Sequence, residues 1–469
     1  MADRLRVDVA VLGSGPGGSV TAALCAEAGF QTLLLEEGPD LPLDACRHFS
    51  GEEIVRKYRN RGLSLAFGKP SISYMEGCCV GGGSEVNRGL YHRTPAYVLD
   101  RWAREYQVDA LTPDALAPHF DACEARARVA GLPGRAPPLS QRLGDGGAAL
   151  GWDSMQAPRL FDYASGRKQS MSETFIPQFR RAGGDLMAGT RALRIARTNR
   201  RWRVSAVRDR RPLEIEADGL FVACGAVQTP ALLRRSGIRH NVGNSLRFHP
   251  MLKAVALFSD AVNRPGDPDP VHQIKAFEPR FGIGCSISSP ALLALALGGN
   301  PAMRAHIAQA SDRMGLYYVQ NGSGHARVRC LPGARDPFVS VAHERNELEA
   351  LYDGLRHLLR ALFAAGAEAV QPCLPGLPML RSAAEMDALP ASLPRKSASL
   401  SSVHVFASCP MGGNQRITAT DSWGRVHGVD GLRIADASLM CGPTIANPQG
   451  SVMAIAHRNA LHAIERRFA

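Results

Sequence analysis

Lysine is scarce in this chain. Only six of its 55 basic residues are lysine (Lys57, Lys69, Lys168, Lys253, Lys275 and Lys396), and the rest are arginine. The arginines are scattered, with no long basic tract and no interleaved aromatic ladder. A net charge of +12 and a pI near 9.4 therefore do not read as a nucleic-acid surface. The Arg-heavy, Ala-rich composition fits a GC-rich coding sequence, while a basic patch that attracts an anionic substrate stays open. Cysteine pairing is absent too: none of the 11 cysteines forms C-x-x-C, and the only neighbours are Cys78 and Cys79. Ligand spacing for zinc and a disulfide scaffold are both excluded, so no metal and a reducing cytoplasm are expected. Long apolar runs are also missing. The longest candidate, Ala291 to Leu297 behind Pro290, falls far short of the ~20 residues of a membrane span, so no membrane partner is expected. Met1 to Arg6 leads directly into a strand, with no room for a signal peptide. What remains is an ordinary globular composition, 45% apolar and 21% charged over 469 residues. That length holds roughly two or three domains' worth of core.

The stretch from Val7 to Gly38 organises the chain. Val7 to Leu12 is a short apolar strand, and Gly13, Gly15 and Gly18 follow it in the spacing G-x-G-x-x-G. Gly13 permits the turn, Gly15 lets a pyrophosphate approach the backbone, and Gly18 lets the next helix pack closely. That helix runs to about Ala28 and stops at Gly29. Thr32 to Leu35 is a second strand ending at Glu36, a carboxylate placed to accept hydrogen bonds from an adenosine ribose. Strand, glycine turn, helix, strand and acid together predict a dinucleotide site, with the pyrophosphate on the helix N-terminus. The motif alone does not separate FAD from NAD.

Further on, Gly77 to Arg93 reads GCCVGGGSEVNRGLYHR, a glycine-rich loop able to lie against a second part of a nucleotide. Gly81, Gly82, Gly83, Ser84, Val86 and Asn87 match G-G-[GS]-S-x-[IV]-N, and the pair of segments resembles the glucose–methanol–choline family of FAD-dependent oxidoreductases. Glu85 stands where that family has a small residue. A second signature, G-A-x-x-[ST]-P-x-L-L-x-x-S-G-I, is matched by Gly225-Ala226, Thr229-Pro230, Leu232-Leu233 and Ser236-Gly237-Ile238. A third, in the last part of the chain, is matched by His404, Ser408, Cys409, Met411 and Gly412, with Ala407 replacing a glycine. The same segment continues through GLRIADAS and Asn447-Pro448.

Between these signatures the pattern is mixed. Thr94 to Val129 is helical in character, and Pro133 to Gly147 reads as a Pro/Gly-rich linker. Asp185 to Ile195, Trp202 to Arg208 and Leu213 to Asp218 are strand candidates, followed by a separate buried strand from Leu220 to Gly225. Gln273 to Ile287 and Gly315 to Ala342 are strand-rich, and Leu348 to Ala364 is an amphipathic helix ending at Gly366. Leu432 to Ala435 is a strand ending at Asp436, whose carboxylate is placed to bind ribityl or pyrophosphate-linked groups. A closing helix starts at Gln449.

The resemblance implies an α/β fold: a Rossmann-like FAD-binding domain, discontinuous in sequence (1–95, 181–247 and 404–469), with a sheet-based substrate-binding domain (96–180 and 248–403). It implies non-covalent FAD held by Gly13, Gly15, Gly18, Glu36, Gly82, Gly83, Ser84, Asn87, Ala223, Gly225, Asp436, Ala437 and Pro448. It also implies oxidation of a small-molecule alcohol at a CH–OH group, by hydride transfer to flavin N5, with O₂ or another acceptor taking the electrons. His404 is then the base and Asn447 its partner, because a neutral imidazole suits the hydroxyl proton and a second polar group must hold the oxygen. The expected acid limb of kcat/KM lies roughly at pH 6 to 8, the range of a catalytic histidine. The alternatives are an FAD-containing lyase or decarboxylase on the same scaffold, or a flavin-binding protein without catalysis.

Overall fold

The computed structural model describes residues 3–198, 201–298, 307, 309–322, 324–396 and 398–468. Met1, Ala2, Ser323 and Ser397, which fall in segments read above, lie outside the described residues. Val7, Val9 and Val11 are all buried in the central strand Asp3–Leu12. This strand pairs in parallel with Thr32–Leu35 on one side and Arg211–Val222 on the other, and Thr32–Leu35 pairs in parallel with Asp185–Met187.

Arg211–Val222 is one continuous strand where the sequence suggested two. Its first half pairs antiparallel with Arg201–Arg208, itself paired with Thr190–Thr198. Its last residues, Leu220 to Val222, pair in parallel with Leu432–Ile434. The change of neighbours explains the misreading: the antiparallel half is alternately exposed, whereas the parallel half is buried on both faces. Gly219 joins the halves, and a Cβ there would lie 2.9 Å from the Phe468 ring.

Helix Pro16–Glu27 is buried along almost its whole length, wedged between Phe175–Arg181 and the closing helix Gln449–Glu465. Its small residues, from Gly17 to Ala26, make that close approach possible. Pro113–Arg126 packs on the far side of the closing helix.

The second sheet has strands His325–Arg329, Phe338–Ala342, Ser64–Phe67, Ser71–Tyr74, Ser399–Ser402, Met251–Leu257, Met314–Gln320, Gly282–Cys285, His272–Ile274 and Ser154–Gln156 in that order, with Ala369–Pro372 also paired to Met251–Leu257. Helix Arg345–Ala364 covers one face, with Leu351, Leu355, Leu358 and Leu362 in the core beside Leu252, Ala254 and Val319. Alternation along the strands leaves Met251, Lys253, Tyr318 and Gln320 on the opposite face.

Two sequence readings are corrected here. Pro133 to Gly147 is not a linker, because Pro138–Ala149 is a helix that starts on Pro138 at its first turn. Its glycines serve close packing: a Cβ on Gly146 would lie 2.1 Å from the Ala361 carbonyl oxygen, and one on Gly144 would lie 2.9 Å from the His272 ring. Sheet membership also crosses the boundary expected at residue 95. Ser64–Phe67 and Ser71–Tyr74 belong to the second sheet, while Trp102, Leu116 and Phe120 pack in the core of the first. Strands of four residues are too short to announce their partner through periodicity. All eleven cysteines are unpaired, and among the described residues no helix is long and apolar enough to cross a membrane.

Candidate functional site

A cavity of about 440 Å³ runs between the carboxyl ends of the first sheet's strands and the open face of the second. Ligands of open parallel sheets bind at such strand ends. Gly13, Gly15, Glu36, Gly82, Gly83, Asn87, Ala223, Gly225, His404, Asp436, Ala437, Asn447 and Pro448 all line it. Gly18 and Ser84 do not.

The glycines divide by task. Gly13 has φ +106°, and a Cβ there would lie 2.2 Å from the Ala223 carbonyl oxygen, so the turn is pressed against the neighbouring strand. Gly18 faces inward, where a Cβ would meet the Gly13 carbonyl oxygen at 1.9 Å. Gly17, outside the G-x-G-x-x-G spacing, is equally constrained by the Ala435 carbonyl oxygen at 2.0 Å. Gly15 differs: nothing lies within 4 Å of where its Cβ would be. It caps helix Pro16–Glu27 with no side chain bonded to the first turn. Unpaired helix N–H groups facing open space form an anion cradle. Gly82 brings the second glycine loop against the first, its Cβ position 2.8 Å from Gly15 Cα.

Ser84 is buried and braces that loop, donating to the Gly81 carbonyl at 2.7 Å and accepting from the Met171 N–H at 3.0 Å. Glu85 also turns away from the cavity. Its carboxylate accepts from the Ser172 N–H at 3.3 Å, and its backbone carbonyl accepts from Lys168 Nζ at 2.6 Å. Asn87 ties the loop to the closing helix by donating to Gln449 Oε1.

Glu36 is buried and accepts from the Ser14 N–H at 3.1 Å, the Ser14 hydroxyl at 2.7 Å and the Gly38 N–H at 2.9 Å. Burial pushes its pKa up, and these donors pull it back. Asp436 is more heavily committed. It accepts from the N–H groups of Gly225 and Ser438 at 2.8 Å each, from the Thr229 hydroxyl at 2.5 Å and from the Ser438 hydroxyl. Roughly four acceptor sites exist on a carboxylate. Asp436 therefore clasps its strand end to the Gly225 turn while lining the cavity.

His404 and Asn447 meet as their motifs suggested, with Asn447 Nδ2 3.2 Å from His404 Nε2. Two further residues extend the pair. Gln273 Nε2 donates to Asn447 Oδ1 at 3.1 Å, and His249 Nδ1 lies 3.0 Å from His404 Nδ1. The chain of donors assigns the tautomers. Gln273 fixes the Asn447 amide, whose N–H₂ points at His404 Nε2. That nitrogen is then the acceptor, so His404 carries its proton on Nδ1 and donates it to His249. The His249 proton sits on Nε2, which is buried without a partner. Among the described residues no carboxylate is paired with either ring. Burial pulls His404 down to about 4 and His249 well below its ordinary value. Burial therefore moves the acid limb expected at pH 6 to 8 downward.

The loop carrying Asn447 is strained, since the β-branched Ile445 has φ +56°. Gln320 Nε2 holds its carbonyl at 2.9 Å. Ala407 stands at φ +65°, a conformation to which glycine is better suited. His249 and Gln273 escaped the sequence reading because neither sits in a signature; the only sign was a His-Pro step just before a strand. His92 is buried off the cavity, with both ring nitrogens unpartnered. Among the described residues one carboxylate–imidazole grouping is compact enough for a metal, His325, Glu344 and Glu347, and it is mostly exposed, with Glu347 already closing a helix cap.

A dinucleotide suits this cradle: an open helix N-terminus, a second glycine loop in van der Waals contact with the first, and Glu36 at the far strand end. Similarity to known proteins agrees. GMC oxidoreductase family models match residues 17–251 and 333–456. An uncharacterised GMC-type oxidoreductase of Sinorhizobium fredii is 34% identical over 98% of this chain and 95% of its own. A long-chain-alcohol oxidase of Arabidopsis thaliana is 24% identical over 98% of this chain and 69% of its own. The fold matches that of Aspergillus oryzae formate oxidase, solved as a variant affecting FAD modification, with a TM-score of 0.76 at 16% identity over 99% of both chains. Glycine cradle, matched halves and shared tertiary course lead to one conclusion: this chain belongs to the GMC oxidoreductase family, and its cofactor is FAD.

Proposed function

We propose that the protein oxidises an alcohol CH–OH group to the carbonyl. The observation that carries this reading is the His404–Asn447 pair, 3.2 Å apart at the cavity wall. The chemistry supplied by FAD, when bound, is acceptance of the carbinol hydride at N5. His404 takes the hydroxyl proton on Nε2, whose one lone pair becomes available as the Asn447 amide N–H turns from it to the substrate oxygen. Asn447 holds the same oxygen, so the C–H bond is oriented before it breaks. Gln273 and the His249 ring keep both groups from rotating. His404 lacks a carboxylate partner among the described residues and is neutral at pH 7, as a base must be.

On the nucleotide side, Glu36 takes the adenosine ribose through the acceptor capacity its three donors leave, and the first turn of Pro16–Glu27 takes the pyrophosphate. His92 does not line the cavity, which supports non-covalent attachment. The name of the Arabidopsis relative supports a hydroxyl donor as the substrate class. Anaerobic addition of primary and secondary alcohols to the yellow holoenzyme tests the proposal: bleaching of the flavin band is expected. A fully flavinated protein that no alcohol bleaches would overturn it.

A further inference from the structure

Lys253 lies in the open face of the second sheet and lines the cavity. Three cross-strand rows order that face. Met251 is paired with Gln320, Lys253 with Tyr318, and Val255 with Leu316. The first row borders the reacting groups, because Gln320 holds the carbonyl of Ile445, two residues before Asn447. The third row is dry: Val255 and Leu316 pack with Leu293, Leu297 and Met314. Lys253 therefore sits between the His404–Asn447 end and an apolar stop. Two residues of strand separate its row from the first, about 7 Å along the sheet.

Among the described side chains no carboxylate answers this ammonium. Among the described residues Lys253 makes no ion pair and no side-chain hydrogen bond. The acidic residues that line the cavity are Glu36, Glu37 and Asp436, all at the ends of first-sheet strands or just beyond them. Arg88, the other cation on the substrate side, is engaged by the carbonyls of Cys285 and Pro270. Burial pulls the Lys253 pKa down. The side chain is half-buried at the cavity wall, so its ammonium faces the cavity and is left to solvent until a ligand displaces it.

We propose that Lys253 is an anion-binding subsite, and that the substrate is an alcohol carrying a carboxylate or similar anionic group one sheet row from its carbinol. The inference rests on the reading of this cavity as an alcohol site and names the substrate class within it. The ligand supplies the missing counter-charge, and the cation in turn fixes which hydroxyl reaches His404. A substrate made only of hydrocarbon and hydroxyl leaves the ammonium desolvated and unpaired.

The test is calorimetric titration of the FAD holoenzyme with butanoate, hexanoate and octanoate, and with the primary amide of each. None of these carries a hydroxyl, so binding is read without turnover. At least one carboxylate is expected to bind ten- to a hundredfold tighter than its amide, the range of one charged hydrogen bond. Lys253→Met removes that preference and Lys253→Arg retains it. Equal affinities of acid and amide at every chain length in the unaltered enzyme would overturn the proposal, whether or not the variants fold. A preference that survives in Lys253→Met would overturn it as well. Flavin bleaching by the corresponding hydroxy acids is scored separately: acid preference without bleaching defeats the oxidation reading and leaves the anion subsite standing.

Discussion

The nucleotide half of the cavity closes backbone on backbone. Gly13, Gly17 and Gly18 each bring one carbonyl to within a distance that no Cβ tolerates. Its carboxylates are met by the chain's own donors, three on Glu36 and four on Asp436. The substrate half is built from side chains of four separated segments, with His249, Gln273, His404 and Asn447 in one line. It leaves polar groups unmatched: among the described residues His249 Nε2 and Gln320 Oε1 have no partner, and Lys253 has no counter-ion. The contrast separates two jobs. A cofactor of fixed shape is met by a rigid backbone surface whose carboxylates are already positioned by the chain's own donors. A substrate that must be chosen and turned over meets groups whose hydrogen bonds are completed only when it arrives.

If that division holds, variants in the two halves fail differently. The largest effect is expected from His404→Ala, a loss of about 10²- to 10⁴-fold in flavin reduction, the size of a general-base contribution. FAD content should be retained, and Asn447→Ala should lose less because it orients without taking the proton. Anaerobic stopped-flow reduction of fully flavinated variants decides. Loss of FAD from His404→Ala would erase the contrast, since the imidazole would then be packing the nucleotide half.

Next come the two glycines of one motif. Gly13→Ala combines a forbidden φ with a 2.2 Å clash and should cost about 3 kcal/mol or more in thermal unfolding. Gly15→Ala has open space in the apoprotein, so its stability should change by no more than about 1 kcal/mol. Its FAD should nevertheless be lost on dialysis. Similar destabilisation in both apoproteins would show that Gly15 is structural.

Acidity probes the substrate half. His404 must be neutral to act, so kcat/KM should hold as pH falls through 6 and decline only towards about 4. Stability follows the same sign. A histidine depressed from 6.5 to about 4 binds its proton more readily unfolded than folded. Its contribution is complete above 6.5 and is lost as pH falls towards 4, and His457 acts in the same direction. Denaturant midpoints measured from pH 7.5 to 4.5 should fall steadily below 6.5. An acid limb of kcat/KM above 6 would mean that His404 is wetter than its burial implies.

The smallest effect concerns Ala407, held at φ +65°. Ala407→Gly relieves about 1 kcal/mol of left-handed strain but adds freedom to the unfolded chain. A change within about 1 kcal/mol of neutral is expected by thermal unfolding. A large loss would show that the alanine methyl is a packing element rather than a tolerated substitution.

Local chemistry made the nucleotide half legible. A strand, a glycine turn and a helix are consecutive in the chain, so Gly13, Gly15 and Glu36 are placed by neighbours that the sequence displays beside them. The same holds for helix Arg345–Ala364, whose leucine stripe marks its buried face. His404 and Asn447 were found through motif resemblance, not through any local rule. Local reasoning failed where contacts are remote: Pro138–Ala149 looked like a linker until Ala361 and His272 packed onto its glycines.

By itself, then, the sequence determined the Rossmann-like start and the glycine cradle, which are carried by residues in fixed short spacing, and through its motifs it pointed to the family and to the histidine–asparagine pair. Only the tertiary structure decided that Asp436 is a clasp, that Ser84 and Glu85 turn away, and that His249 and Gln273 complete the network. It also decided that Lys253, one of six lysines with nothing to distinguish it, faces the cavity without a counter-charge. Such facts depend on which strands become neighbours and which face of each is covered, and burial then sets what a buried charge or imidazole must do.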